Sequence, residues 1–256
     1  MTRLLPLLGI LLALPAPAAD IPRAERRSGF DFMSAPNREM QRDDMLNPGM
    51  LWVGEGEALW NRAPDSGATA CSGCHGDAKE SMKGVAARYP AFSGKLDRPV
   101  SLQQRINLCR TEKQRREAFA PESRPLLALT AYVAHQSRGL PVAPPQDARL
   151  DEHRARGKAL FTTPLGQLGF SCAQCHDDNW GRHLAGSPIP QAHPTGYPIY
   201  RLEWQTLGSL QRRLRNCLTG VRAEPFDWDA EEMVQLELYL MQRAEGMKLE
   251  TPGVRP

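Results

Sequence analysis

Two pentapeptides, Cys71-Ser72-Gly73-Cys74-His75 and Cys172-Ala173-Gln174-Cys175-His176, each place two thiols and an imidazole within about one turn of backbone. Thiols at this spacing add across the vinyl groups of a haem. The histidine that follows at once turns beneath the ring as an axial ligand of the iron. The intervening pairs are small or polar and do not obstruct the turn. A redox-active dithiol or half of a zinc site would use the same pair of cysteines. A histidine in the same place twice favours two covalent haem c groups. The first is held by Cys71 and Cys74 with His75 as axial ligand, the second by Cys172 and Cys175 with His176.

The sixth ligands are less direct. A simple electron-carrying cytochrome takes a methionine from a loop well downstream of its motif. Met82 and His183 follow their motifs too closely to pass round a haem edge; His135, His193, Met233 and Met241 are further donors. The two remaining cysteines, Cys109 and Cys217, each lie eight residues after an equivalent serine, Ser101 and Ser209, on the apolar face of a helix. That symmetry favours cysteine thiolate as the distal ligand of both irons. A Cys109–Cys217 disulfide and a pair of inert buried thiols are the alternatives. Arg213 lies four residues before Cys217 and so over the same helical face. A guanidinium there would lower the thiol pKa and bind a sulfonate or carboxylate. It would equally well pair with a haem propionate, as Arg105 would before Cys109.

These groups need elements to hold them, and the chain supplies the same elements twice. Gly56-Glu57-Ala58-Leu59-Trp60 precedes the first motif and Gly157-Lys158-Ala159-Leu160-Phe161 the second. Tyr89-Pro90 and Tyr197-Pro198 follow, then Ser101-Leu102-Gln103-Gln104-Arg105 and Ser209-Leu210-Gln211-Arg212-Arg213. An offset of 101–108 residues suits a duplicated domain. Leu102, Ile106 and Cys109 share one helical face, as do Leu210, Leu214 and Cys217. Ser101 with Gln104 forms a capping box, Gly220 ends the second such helix, and Asp229 with Glu232 has the form of another cap. Apolar helices over Pro125 to Arg138 and Asp229 to Arg243 close the two copies, and Pro141 to Gln146 reads as the linker. No stretch shows sustained strand alternation. The expected fold is all-α: two tandem class-I-like cytochrome c domains over residues 51–145 and 146–256. An irregular arm over 20–50 is expected to wrap the first.

Residues 1–19 have one Arg, a short proline-broken apolar run and a small-residue exit at Ala16-Pro17-Ala18, the form of a secretory signal with cleavage near Ala18 or Ala19. Export to the periplasm follows, and no later segment is apolar enough to span a membrane. The net charge of +3 falls to +2 without Arg3, which gives no sign of a nucleic-acid partner. Aromatic residues are only 7% of the chain, and a haem supplies apolar bulk that such a core otherwise lacks.

With these residues in view, the chain resembles the SoxA family, the diheme subunits of the sulfur-oxidising SoxAX cytochromes, which are L-cysteine S-thiosulfotransferases. The likeness covers essentially the whole mature chain. It includes Asp43-Asp44, Asn47 to Val53, both haem motifs, Cys109, Cys217, Arg222-Ala223-Glu224-Pro225 and Glu237-Leu238-Tyr239. The resemblance implies that Cys217 is the catalytic residue, carried as a persulfide and ligating the second haem, and that Arg213 helps bind the anionic substrate. It implies a heterodimer with a monohaem subunit, SoxX, that completes the site. The reaction it implies joins thiosulfate to a cysteine of the carrier SoxY (as SoxYZ) and releases two electrons. A diheme thiosulfate dehydrogenase forming tetrathionate and a non-enzymic diheme electron carrier are the other readings.

Overall fold

The computed structural model describes residues 21–256, so the expected signal segment lies outside the described residues. The chain passes through two short 3-10 turns and α1 (Ala35–Arg42) before the first repeat. That repeat contains α2 (Met50–Asn61), the motif helix α3 (Cys71–His75), α4 (Ala78–Ser81), a hairpin of β1 (Ala91–Ser93) and β2 (Arg98–Val100), α5 (Leu102–Glu112) and α6 (Arg124–His135). The second runs α7 (Asp151–Thr162), the motif helix α8 (Cys172–His176), a hairpin of β3 (His183–Leu184) and β4 (Ser187–Pro188), then β5 (Ile199–Arg201), β6 (Thr206–Gly208), α9 (Leu210–Gly220) and α10 (Glu231–Arg243). A last strand, β7 (Gly253–Arg255), pairs parallel with β5.

Helices dominate, as the periodicity requires, and the duplication is visible element by element. Alternation had not announced the short strands, because runs of two or three residues are too short to carry a period. The β1–β2 and β5–β6 hairpins are equivalent, and cis Tyr89-Pro90 and Tyr197-Pro198 enter them. Ser101 starts α5 through a capping box with Gln104, the two bonds measuring 2.9 and 3.1 Å. Ser209 caps α9 by accepting the Arg212 N–H at 3.1 Å.

In each repeat the first long helix crosses the last, and glycine sets the separation. A Cβ on Gly56 of α2 would stand 2.1 Å from the Ala128 carbonyl oxygen on α6, and one on Gly157 of α7 would stand 2.1 Å from that of Gln235 on α10. These crossings bury Trp52, Val53 and Trp60 against Leu127 to Val133 in one repeat. They bury Phe161 against Leu236, Tyr239 and Leu240 in the other.

Four expectations change. The closing helices begin at Arg124 and Glu231 and end at His135 and Arg243. Asp229 does not cap α10; its N–H donates to Gln211 Oε1 at 2.9 Å, tying the helix entry to α9. Pro141 to Gln146 is not a free linker, since Val142 is buried and exchanges backbone hydrogen bonds with Met247 and Gly246. The arm lies chiefly on the second repeat rather than the first. Arg27 N–H donates to Gln191 Oε1 at 2.6 Å, Ser28 Oγ to Glu250 at 2.7 Å, Asn47 to the Pro252 carbonyl at 2.9 Å, and Gln41 accepts the Val254 N–H at 2.9 Å. The second repeat and its tail carry buried polar groups, Gln191 and Thr195 among them, and the arm supplies partners for several of the groups around them. One ion pair, Arg138–Asp44, joins the arm to the first repeat at 2.6 Å.

A cavity of about 90 Å³ lies where the repeats meet, lined by Tyr89, Thr130, Tyr197, Ser209 and Glu237 among others. Burial pushes the Glu237 carboxyl up to about 8, against a hydrogen bond with Gln211, and the nearby carboxyls Asp229 and Glu122 add to the rise.

Two measurements follow from this packing. Gly157→Ala should destabilise the protein by about 1–3 kcal/mol through overpacking, although alanine is the better helix former by about 1 kcal/mol. Chemical denaturation giving a gain would show that the crossing is loose. The second concerns pH. The folded Glu237 keeps a proton that the unfolded chain releases, so this group's contribution to stability falls as pH rises from about 4.5 to about 8. Glu237→Gln should flatten a loss on the order of a few kcal/mol across that window. An unchanged stability–pH profile would place the relevant titration elsewhere.

Candidate functional site

The second motif occupies the single turn of α8. Ser171 Oγ accepts the Gln174 N–H at 3.2 Å, and Gln174 Oε1 accepts the Ser171 N–H at 2.8 Å. Gln174 is therefore a capping residue as well as a spacer, a role legible in the Ser-x-x-Gln pattern but missed in the sequence. The turn presents Cys172, Cys175 and His176 together. His176 Nδ1 donates to the Pro190 carbonyl at 2.6 Å, which fixes the ring and leaves Nε2 as the nitrogen available to a metal. From α9, Cys217 brings its thiol beside the same imidazole. Cys172 and Cys175 both feel the Cys217 charge, so the three sulfurs and the ring form one group.

The first repeat has the same plan with different supports. No side chain caps α3; Gly76, at φ 68°, ends it. The Trp60 indole donates to the Gly76 carbonyl at 3.1 Å and lies 5.7 Å from the His75 ring. Cys109 on α5 is electrostatically coupled to Cys71 and Cys74. Each lone cysteine thus sits with its own motif. All six cysteines are free, which removes the cross-repeat disulfide alternative.

The donor sets fit a haem c group better than the competing chemistries. Among the described residues no cluster of His, Cys, Asp and Glu is arranged as a metal cage, which leaves the zinc reading without a site. Of the other candidate ligands, His193 is engaged elsewhere, whereas His135 Nε2 is buried with no hydrogen-bond partner among the described residues. His193 Nδ1 donates to the arm carbonyl of Arg27 at 2.8 Å, and burial pushes its pKa down to about 4. Burial also lowers the His135 pKa, and its charged neighbours are Arg138 and Asp44. Met233 is fully buried, and Met241 packs with Ala87 and Val142.

Electrostatics separate the two lone cysteines. Burial pushes the Cys109 thiol up, with Arg105 opposing. Burial also acts on Cys217, but the neighbouring His176 imidazole and the charges of Arg213 and Arg201 outweigh it, and the thiol lies below its ordinary range. Arg213 faces Cys217, Tyr197 and Glu203, and their negative charge raises its pKa against the effect of burial. Its guanidinium makes no hydrogen bond or ion pair with any described residue. Arg201 and Tyr197 are site residues that sequence reasoning missed. Burial pushes the Tyr197 hydroxyl up to about 12. This grouping provides a polarised thiol, a cationic pocket suited to an oxyanion, and a haem-binding turn.

The chain is similar to known proteins over most of its length. The model of the SoxA/TsdA cytochrome c domain family matches twice, at residues 55–142 and 156–249. An L-cysteine S-thiosulfotransferase subunit SoxA from Pseudaminobacter salicylatoxidans is 37% identical over 235 residues, 91% of this chain and 82% of that protein. The subunit of the same name from Rhodovulum sulfidophilum is 32% identical over 247 residues, 96% and 86% of the two chains. The crystal structure of SoxXA from P. pantotrophus superposes with a TM-score of 0.87 at 31% identity, covering 90% of this chain and 87% of that one.

Proposed function

We propose a function from the premise that the chain belongs to the SoxA/TsdA cytochrome c family, whose domain it carries twice. It is the haem-bearing catalytic subunit of an L-cysteine S-thiosulfotransferase, which joins thiosulfate to a cysteine of the carrier protein SoxY. Its similarity to SoxA subunits extends over most of both chains, which favours this reading over a thiosulfate dehydrogenase or a passive carrier. The SoxXA assembly of its structural relative supports pairing with a monohaem subunit, SoxX. The single observation that carries the reading is that α9 sets Cys217, with Arg213 one turn before it on the same helix, beside the Cys172–His176 turn of α8.

Two haem c groups would be held by Cys71, Cys74 and His75, and by Cys172, Cys175 and His176, with Cys109 and Cys217 as further thiolate ligands. When bound, the haems supply one-electron acceptors, and thiolate ligation favours the ferric state. The chain's own residues do the rest. Cys217, carried as a persulfide, would join its outer sulfur to the outer sulfur of thiosulfate as two electrons leave, and the carrier thiolate would then take the thiosulfonate group with the Cys217 persulfide anion as leaving group. Arg213 holds the sulfonate end of the substrate and offsets the repulsion between two anionic sulfurs. Joining a carrier thiol to thiosulfate gives the S-sulfonated disulfide, one proton and two electrons. Among the described residues no helix is long and apolar enough to cross a membrane. With the leading segment over 1–19 as an export signal, the working compartment is the periplasm.

Haem number is tested by intact mass with a pyridine haemochrome assay, which should give two haems per chain; a mass excess of one would remove one of the sites. The catalytic assignment is tested with thiosulfate, with and without the carrier protein. Cys217→Ser should abolish turnover, because an alcohol is a far weaker nucleophile and forms no persulfide. Arg213→Ala should cost about 2–4 kcal/mol of transition-state stabilisation, and Arg213→Lys should recover part of it. Arg105→Ala should leave turnover nearly intact, and an equal loss from both alanine variants would make both arginines propionate partners.

A further inference from the structure

The duplication is an internal control, because whatever both repeats share serves what both must do. Arg213 has a counterpart, Arg105, four residues before the other lone cysteine. Arg201 has none. The β1–β2 hairpin, in which Ser93 pairs with Arg98, matches the β5–β6 hairpin, in which Arg201 pairs with Thr206. The place of Arg201 is therefore held in the first repeat by Ser93, a buried neutral residue. A guanidinium has been added beside one lone cysteine and not beside the other.

The second repeat also has the parts that aim it. Strand β7, absent from the first hairpin, lies parallel to β5 with Arg201 in register with Arg255. Arg201 Nε donates to the Pro256 carbonyl at 3.0 Å, and Nη2 pairs with Glu203 at 2.9 Å. The guanidinium stands 5.2 Å from the centre of the Trp204 ring, against which Arg212 also packs at 4.2 Å. These contacts use one edge of the guanidinium, and Nη1 has no partner among the described residues. The side chain is only 14% exposed. Arg201 and Arg213 repel each other, and both act on Cys217. Holding two like charges together in a partly buried place is costly unless an anion comes between them.

We propose that Arg201 is a second substrate-binding guanidinium, which with Arg213 clamps a doubly charged sulfur oxyanion over Cys217 and sets the preference for dianions over monoanions. The inference rests on the thiosulfotransferase reading and deepens it. A single arginine serves the demand common to both repeats, and the added one serves the demand peculiar to the second. Thiosulfate carries two negative charges, so one guanidinium leaves a charge uncompensated as it approaches a thiolate. Two planar forks also offer donors to more than one sulfonate oxygen, which fixes the direction in which the outer sulfur points.

The test uses the fully haem-loaded chain in complex with its monohaem partner. Arg201→Ser installs the residue of the first repeat, and Arg201→Lys keeps the charge without the fork. Thiosulfate is compared with methanethiosulfonate, a monoanion of similar shape, with kcat and KM read separately. Binding of thiosulfate without the carrier is followed as a dissociation constant from the change in the haem absorption bands. Arg201→Ser should raise the KM and Kd for thiosulfate by about 10–100-fold, the loss expected for charge-assisted hydrogen bonds. It should leave the methanethiosulfonate KM within about threefold, while any fall in kcat through the Cys217 thiolate is shared by both anions, and lysine should recover part of the thiosulfate KM loss. Equal rises in KM for the two anions, in a variant with full haem content, would overturn the proposal. So would an unchanged Kd accompanied by a shifted midpoint potential of the second haem, which would make Arg201 a propionate partner. A wild-type complex that binds thiosulfate but never transfers it would refute the thiosulfotransferase reading, while the Kd series would still decide the role of Arg201.

Discussion

Everything in this fold hangs on two helix crossings at van der Waals contact. Gly56 and Gly157 let α2 approach α6, and α7 approach α10, more closely than any side chain would permit. The motif helices α3 and α8 are single turns that could not persist alone, since a nucleus of helix costs more than one turn returns. They stand because each is attached to a closed helix pair. The first is pinned by the Trp60 indole on Gly76, the second by the Ser171–Gln174 box and the His176 bond to Pro190. The thiols therefore meet a rigid frame, and the two lone-cysteine helices, started by equivalent serines, bring the opposing sulfurs to it.

Duplication explains the architecture, and departures from it explain the chemistry. The second repeat has an extra hairpin after its motif, a third strand beside β5, and an arm from the other end of the chain laid along its edge. Those additions are coupled. Gln41 of the arm holds the β7 backbone at Val254, β7 holds β5, and the residue after β7 accepts from Arg201. The long reach of the arm is thus part of how the charges around Cys217 are positioned.

Much of this was legible in the sequence where chemistry constrains spacing. The haem motifs, the helical faces of Cys109 and Cys217, the capping box at Ser101 and the repeat itself all follow from local rules of one or two turns. What stayed hidden depends on contacts distant in sequence. The arm's attachment to the second repeat is made by hydrogen bonds spanning more than a hundred residues, which no periodicity records. Asp229 has the composition of a cap, yet Gln211 claims it, because a buried helix start can be satisfied from a neighbouring helix as well as from its own turn. Arg201 escaped notice because a lone arginine in a three-residue strand has no pattern. Aligning the two repeats through their Tyr-Pro pairs would have exposed it, as the one charged replacement for Ser93.

The contrast between the lone cysteines shows how position and environment divide the work. Both sulfurs occupy the same place in the same fold, and burial disfavours the charged form of both. At Cys109 desolvation prevails. At Cys217 the His176 ring and the charges of Arg213 and Arg201 reverse the balance, and the thiol lies below its ordinary range. A thiolate so placed has its counter-charges fixed by the backbone of β5 and α9 rather than by mobile ions. In the proposed reaction the same cations would receive the incoming anion without further reorganisation. The roles proposed for Cys217, haem ligand and nucleophile, are thus compatible with one environment, which Cys109 does not share.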